Sequence, residues 1–129
     1  MALEPDRMDR SYQYGRLLAV MEKVERDTYE KEEKRETNAI RMQSVFVKRP
    51  AYAAAIIMNQ LKMAYYPQLK PTVRTFYERL IGQIMGAISN CGEEDSRGLG
   101  ETYLLGYYLQ KNDLYKGKNS DSYNDEKEE

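Results

Sequence analysis

Histidine and tryptophan are both absent from this 129-residue chain, and cysteine occurs once, at Cys91. These absences remove most hydrolytic chemistry: there is no Ser-His or Cys-His nucleophile pair, no histidine-bearing zinc site, no thiolate cage and no intrachain disulfide. Cys91 lies in SNCGEEDS with neither a second thiol nor a base nearby, which makes it an ordinary thiol. No apolar run approaches the roughly 18 residues of a membrane span. The start, MALEPDRMDR, lacks the apolar segment of a signal peptide, so the chain reads as cytoplasmic. Carboxylate and magnesium chemistry stay open in principle. The densest acidic group is Glu93, Glu94 and Asp95, but its setting between Gly92 and Ser96 suits a solvated loop better than a metal site. The expectation is no enzyme activity, no metal and no cofactor.

What remains is a pattern of helices. Apolar residues recur at helical spacing almost throughout, with no stretch of period two, so the expected fold is all-α. We expect a compact bundle of about four to five helices over residues 11–115, preceded by a linker-like 1–10 and followed by a disordered acidic tail, 116–129. The first helix is capped near Asp9 or Ser11, carries Tyr14, Leu17, Leu18, Met21 and Val24 on one stripe, and is expected to run to about Glu33. Ion pairs such as Glu30 with Lys34 would support its charged end. Thr37 or Asn38 caps a second helix bearing Ile40, Met42, Val45 and Phe46. Pro50 opens a third, whose Ala51, Ala53, Ala54 and Ala55 predict burial on several sides. Pro67 and Pro71 bracket the next turn. Beyond them Val73, Phe76, Tyr77, Leu80, Ile81, Ile84, Met85 and Ile88 give a strong amphipathic signal, read as the central helix. Gly82 and Gly86 within it have the spacing of a close helix crossing. The last helix holds Tyr103, Leu104, Tyr107, Tyr108 and Leu114, read as core packing.

The net charge of −1 conceals an uneven distribution. Residues 41–79 carry Arg41, Lys48, Arg49, Lys62, Lys70, Arg74 and Arg79 against one acid, Glu78, a local balance of +6. Every other segment is net acidic. A basic middle on a near-neutral protein can attract phosphates while the remainder keeps it soluble. Arg41 and Lys48 fall seven apart on one helix face, Lys70 and Arg74 one turn apart, and Gln43, Ser44, Asn59 and Gln60 offer neutral phosphate contacts. The alternative is that these cations solvate outer faces and meet acids of the first helix. Among the 12 tyrosines, Tyr14, Tyr77, Tyr103 and Tyr107 take apolar helix positions and read as core, whereas Tyr52, Tyr65 and Tyr66 lie within the basic segment and can expose a ring.

Two stretches carry a family resemblance. YQYGRLLAVMEKVE (12–25) and YLLGYYLQKNDLY (103–115) resemble the C-terminal helical region of the large subunit in subtype I-C CRISPR Cascade complexes. KRPAYAAAIIMNQL between them is similar to the same region, where a proline opens a helix at the matching place. The charged ERDTYEKEEKRE and the acidic loop at 92–96 have no match there.

The resemblance implies the small subunit of that complex, made from an internal start within the large-subunit gene, with Met1 as that start. It implies a non-catalytic bundle lining the belly of the effector, beside the backbone and large subunits, further copies of itself and the guide RNA. Its partner there would be opened target DNA, mainly the displaced strand, and not a membrane. Because guide pairing carries sequence specificity, phosphate-backbone contacts suffice for such a subunit. Charge, rather than the resemblance, nominates Arg41, Lys48, Arg49, Lys62, Lys70, Arg74 and Arg79 for those contacts. Gly106 in LGYY is implied to permit tight packing that closes the bundle. The competing reading is a helical protein–protein adaptor or dimerisation module without a nucleic-acid role.

Overall fold

The computed structural model describes residues 2–29, 34–92 and 97–128, with side chains as far as Lys116. Six α-helices form the fold, and no strand occurs among the described residues. They are α1 (Arg10–Thr28), α2 (Asn38–Arg41), α3 (Gln43–Lys48), α4 (Pro50–Gln60), α5 (Pro71–Asn90) and α6 (Thr102–Glu128), with a π turn at Leu61–Tyr65 and a 3-10 turn at Tyr66–Gln68 between α4 and α5. The all-α bundle is as the spacing predicts. Side chains of the acidic segment beyond Lys116 lie outside the described residues.

The central helix is α1 rather than α5. From Tyr12 to Glu25 every residue of α1 is buried, polar ones included, whereas α5 buries only Tyr77, Ile81 and Ile84. A clean amphipathic stripe marks a helix with one face on the core, while a helix covered all round must give its polar residues internal partners. That is why the stronger periodic signal belongs to a peripheral element. Helix α1 is capped by Asp9, whose carboxylate accepts from Tyr12 N at 3.2 Å. It ends at Thr28, short of the expected Glu33, because the chain turns back there: the Glu25 carboxylate accepts from Asn38 N at 2.9 Å and ties the start of α2 to the end of α1. Residues 30–33, and with them the Glu30–Lys34 pair, lie outside the described residues.

Helices α1 and α6 cross at glycine. A Cβ on Gly15 would stand 1.9 Å from Tyr103 O, and one on Gly106 2.0 Å from Tyr12 O, so both positions admit only hydrogen. The other glycine pair is not a crossing: nothing lies within 4 Å of a Cβ at Gly82 or Gly86, which fall on the exposed side of α5.

The single helix expected after Thr37 is two. Thr37 does cap α2, its hydroxyl accepting from Ile40 N at 3.2 Å, but Met42 at φ −91° and ψ 9° breaks the run before α3. Phe46 of α3 then reaches the core, its ring edge-on to Tyr14 at 5.9 Å. Pro50 opens α4 and Pro71 opens α5, as their missing N–H groups permit. The alanine run is covered on one side only: Ala53 and Ala54 are buried while Ala55 is exposed.

Before α1, residues 2–9 fold back on the bundle. Glu4 N donates to the Tyr12 hydroxyl at 2.9 Å, and Gln13 Nε2 donates to the Pro5 and Arg7 carbonyls at 3.1 and 2.9 Å.

Candidate nucleic-acid interface

The acids of α1 are consumed inside the protein. Glu22 accepts from the Tyr107 hydroxyl at 2.5 Å and lies 3.8 Å from Lys111 Nζ. Glu25 accepts from Asn38 N and from the Tyr29 hydroxyl, and Asp27 bonds both Lys23 and the Tyr77 hydroxyl. Burial, reinforced by these carboxylates, pushes the Tyr77 and Tyr107 hydroxyls far above the ordinary tyrosine range. A second buried group centres on Arg16, whose Nε donates to Gln110 Oε1 at 2.8 Å and whose Nη1 donates to Gln13 Oε1 at 2.8 Å and Pro5 O at 3.1 Å. Desolvation lowers the Arg16 pKa, with Tyr12, Asp113 and Asp6 opposing the shift.

The seven cations of residues 41–79 all point outward. Arg41 ends α2, Lys48 ends α3, Arg49 precedes α4, Lys62 sits in the π turn, Lys70 precedes α5, and Arg74 and Arg79 lie on α5. Arg74 Nε meets Glu78 Oε1 at 3.5 Å in a surface pair. Among the described residues the other six have no carboxylate within ion-pair distance. Those acids of the first helix that are described therefore do not neutralise them. The break at Met42 puts Arg41 and Lys48 on different helices rather than on one face. Lys70 and Arg74 are one turn apart as expected, joined by Arg74 N to Lys70 O at 2.9 Å. Of the neutral residues, Ser44 and Asn59 are exposed, Gln43 donates to the Tyr103 hydroxyl at 2.9 Å, and the Gln60 Oε1 is buried.

One cation escaped the sequence reading. Leu99 N donates to Val47 O at 2.7 Å, and the Arg97 carbonyl accepts from Arg10 Nη2 at 2.8 Å, so the loop before α6 lies on the end of α3. This carries exposed Arg97 to the neighbourhood of Lys48. The pairing is non-local, and no local pattern signals it.

Tyr14, Tyr77 and Tyr107 are buried and Tyr103 is half-buried, in keeping with core roles. Of the three tyrosines in the basic segment, Tyr66 is buried, Tyr65 is half-buried and accepts from Asn38 Nδ2 at 3.2 Å, and Tyr52 is 49% exposed. Arg49 Cζ lies 4.2 Å from the centre of the Tyr52 ring. Between α4 and α5, above α1, runs a groove of about 600 Å³ lined by Ala51, Ala54, Met58, Lys62, Met85 and Ile88, among others.

Among the described residues no three His, Cys, Asp or Glu side chains converge as metal ligands. The acidic loop Glu93 to Asp95 lies outside the described residues. No described helix is long and apolar enough to cross a membrane.

Fold and charge together define an all-helical protein in which the acids of α1 are bonded internally and the basic segment faces outward. The family model for CRISPR-associated protein (Cas_Csd1) matches residues 1–115, and the chain belongs to that family, a component of type I-C Cascade. No curated protein and no solved structure matches the chain.

Proposed function

We propose that this chain is the non-catalytic small subunit of a type I-C RNA-guided CRISPR complex, lining its belly and holding opened target DNA by sequence-independent phosphate contacts. Arg41, Lys48, Arg49, Lys62, Lys70, Arg74 and Arg79 make those contacts, mainly to the displaced strand. The supporting observation is that six of these seven exposed cations have no described carboxylate partner while Glu22, Glu25 and Asp27 of α1 are bonded internally. Cations left unneutralised at a surface release counterions from a polyanion when they bind it. Such contacts lower the cost of keeping the displaced strand away from its complement.

Native mass spectrometry of the tagged chain, co-expressed with the other type I-C effector proteins and a guide RNA, tests the assignment. Incorporation into a guide-containing particle is the expected result. Within that particle, reversing Lys48, Arg49, Lys70 and Arg79 to Glu should weaken DNA retention and flatten its dependence on salt. Unchanged retention and slope would refute the phosphate contacts. A chain left outside a fully formed particle would favour the second reading, a helical adaptor, for which the α4–α5 groove supplies the apolar surface.

A further inference from the structure

Four large rings or chains on the last two long helices are exposed, but their settings differ from that of Tyr52. Phe76 leans edge-on against buried Tyr77 at 5.4 Å, and Tyr108 against buried Tyr107 at 5.1 Å, so each extends the core to the surface. Tyr52 has no such anchor. Among the described residues its ring contact is with Arg49 alone, at 4.2 Å, and it projects from the side of α4 that also carries exposed Ala55 and Asn59. Arg49 and Tyr52 straddle Pro50, which sets the first turn of α4 and is itself buried, so the pair is held by a fixed piece of backbone. A half-exposed aromatic ring with no aromatic neighbour leaves surface available to a ligand, and a guanidinium stacked on it presents a second flat, cationic face. Lys48 adjoins the pair in sequence, and the loop that carries Arg97 docks on the end of α3 through Leu99 N and Val47 O, so two further exposed cations lie on the segments next to the pair.

We infer that the Arg49–Tyr52 pair is a stacking platform for one unpaired nucleobase, with Lys48 and Arg97 holding the phosphates on either side of it. This rests on the phosphate-binding reading and adds what phosphate contacts lack, a preference for single strands. Bases in a duplex are stacked on one another and offer no free face, whereas every base of a single strand does, whatever its identity. The platform therefore gives strand preference without sequence preference.

The experiment uses the full chain and fluorescence anisotropy with three probes of equal length: oligo-dT, the same strand with abasic sites, and a duplex. The wild type should bind oligo-dT roughly 5-fold or more tightly than the abasic strand, the scale of one stacked base. Tyr52→Ala should erase that difference while leaving abasic binding and the melting temperature unchanged, and Tyr52→Phe should retain it. Equal binding of dT and abasic strands by the wild type would overturn the platform and leave the phosphate contacts standing. A wild type that bound no strand even at low salt would overturn both. Oligo-U bound as tightly as oligo-dT is expected, because the stacked face is common to both; loss of the Tyr52 dependence with either would count against the platform.

Discussion

Gly15 and Gly106 face one another's helices at the α1–α6 crossing, where a methyl carbon on either would stand 1.9 or 2.0 Å from a backbone carbonyl oxygen of the other helix, far inside van der Waals contact. These are the glycines of YGRLL and LGYY, the two stretches that carry the family resemblance at opposite ends of the chain. The crossing joins them, so the resemblance marks a contact as well as two sequences.

Replacing either glycine by alanine should therefore be costly, since the obstacle is backbone rather than a movable side chain. Overpacking of this kind costs about 1–3 kcal/mol, and the absence of anything that can rotate away puts Gly15→Ala and Gly106→Ala at or above the top of that range. Gly82→Ala makes the opposite forecast. It sits mid-helix in open space, so alanine should stabilise by about 0.5–1 kcal/mol. Urea unfolding of the three variants distinguishes the cases, and equal effects would contradict the crossing.

The fold was legible where one residue decides a local outcome. Asp9 and Thr37, each one of two candidate caps, do cap helices, Pro50 opens one as expected, and Pro71, read as bracketing a turn, opens another. What could not be read was which helix is central, because burial of α1 depends on partners distant in sequence. Arg16 needs Gln110, Glu22 needs Tyr107, and neither pairing leaves a periodic trace. The same limit hid Arg97 from the basic surface. The seven cations were readable because exposure is the default for lysine and arginine, but their freedom from acids was not, since it follows from where Glu22, Glu25 and Asp27 are spent.

Gln110→Leu should destabilise by about 1–3 kcal/mol although it introduces a better helix former at a buried site. The substitution removes the acceptor of Arg16 Nε and leaves a buried, charged donor without it. Gln110→Glu restores an acceptor and should recover much of the loss. Thermal unfolding of the pair checks this, and a neutral Leu variant would mean that water replaces the amide.

Stability should fall steeply in alkali. Tyr77 and Tyr107 have folded-state pKa values raised by burial first and by hydrogen bonds to Asp27 and Glu22 second, while the unfolded chain titrates near the ordinary value of about 10. Raised folded values favour the protonated form, so their contribution is fully present below pH about 10 and is lost as pH climbs from there toward the folded values. Melting temperatures measured from pH 8 upward should decline beyond that point. Tyr107→Phe should start lower, having lost a hydrogen bond to a carboxylate, but should decline less; a slope equal to wild type would mean that Tyr107 contributes none of the alkaline loss.

Arg74 differs from the other candidate contacts because it alone meets a described carboxylate. Its Nε lies 3.5 Å from Glu78 Oε1, with both side chains nearly half exposed. A pair so exposed is worth at most about 0.5 kcal/mol to the fold, so Glu78→Gln should leave the melting temperature almost unchanged. Its effect on DNA is a different matter. Removing the only acid of residues 41–79 takes away the repulsion of a nearby phosphate and frees the guanidinium to meet it. Retention of DNA by the assembled complex should therefore strengthen, and the slope of log affinity against log salt should steepen by about one phosphate's worth, roughly 0.7 for a single strand. The double variant Arg74→Ala with Glu78→Gln should give back that gain. If Glu78→Gln bound no better than wild type, the Lys70–Arg74 turn would not face the strand, and the contacts would lie with Lys48, Arg49 and Arg97 at the other end of α4.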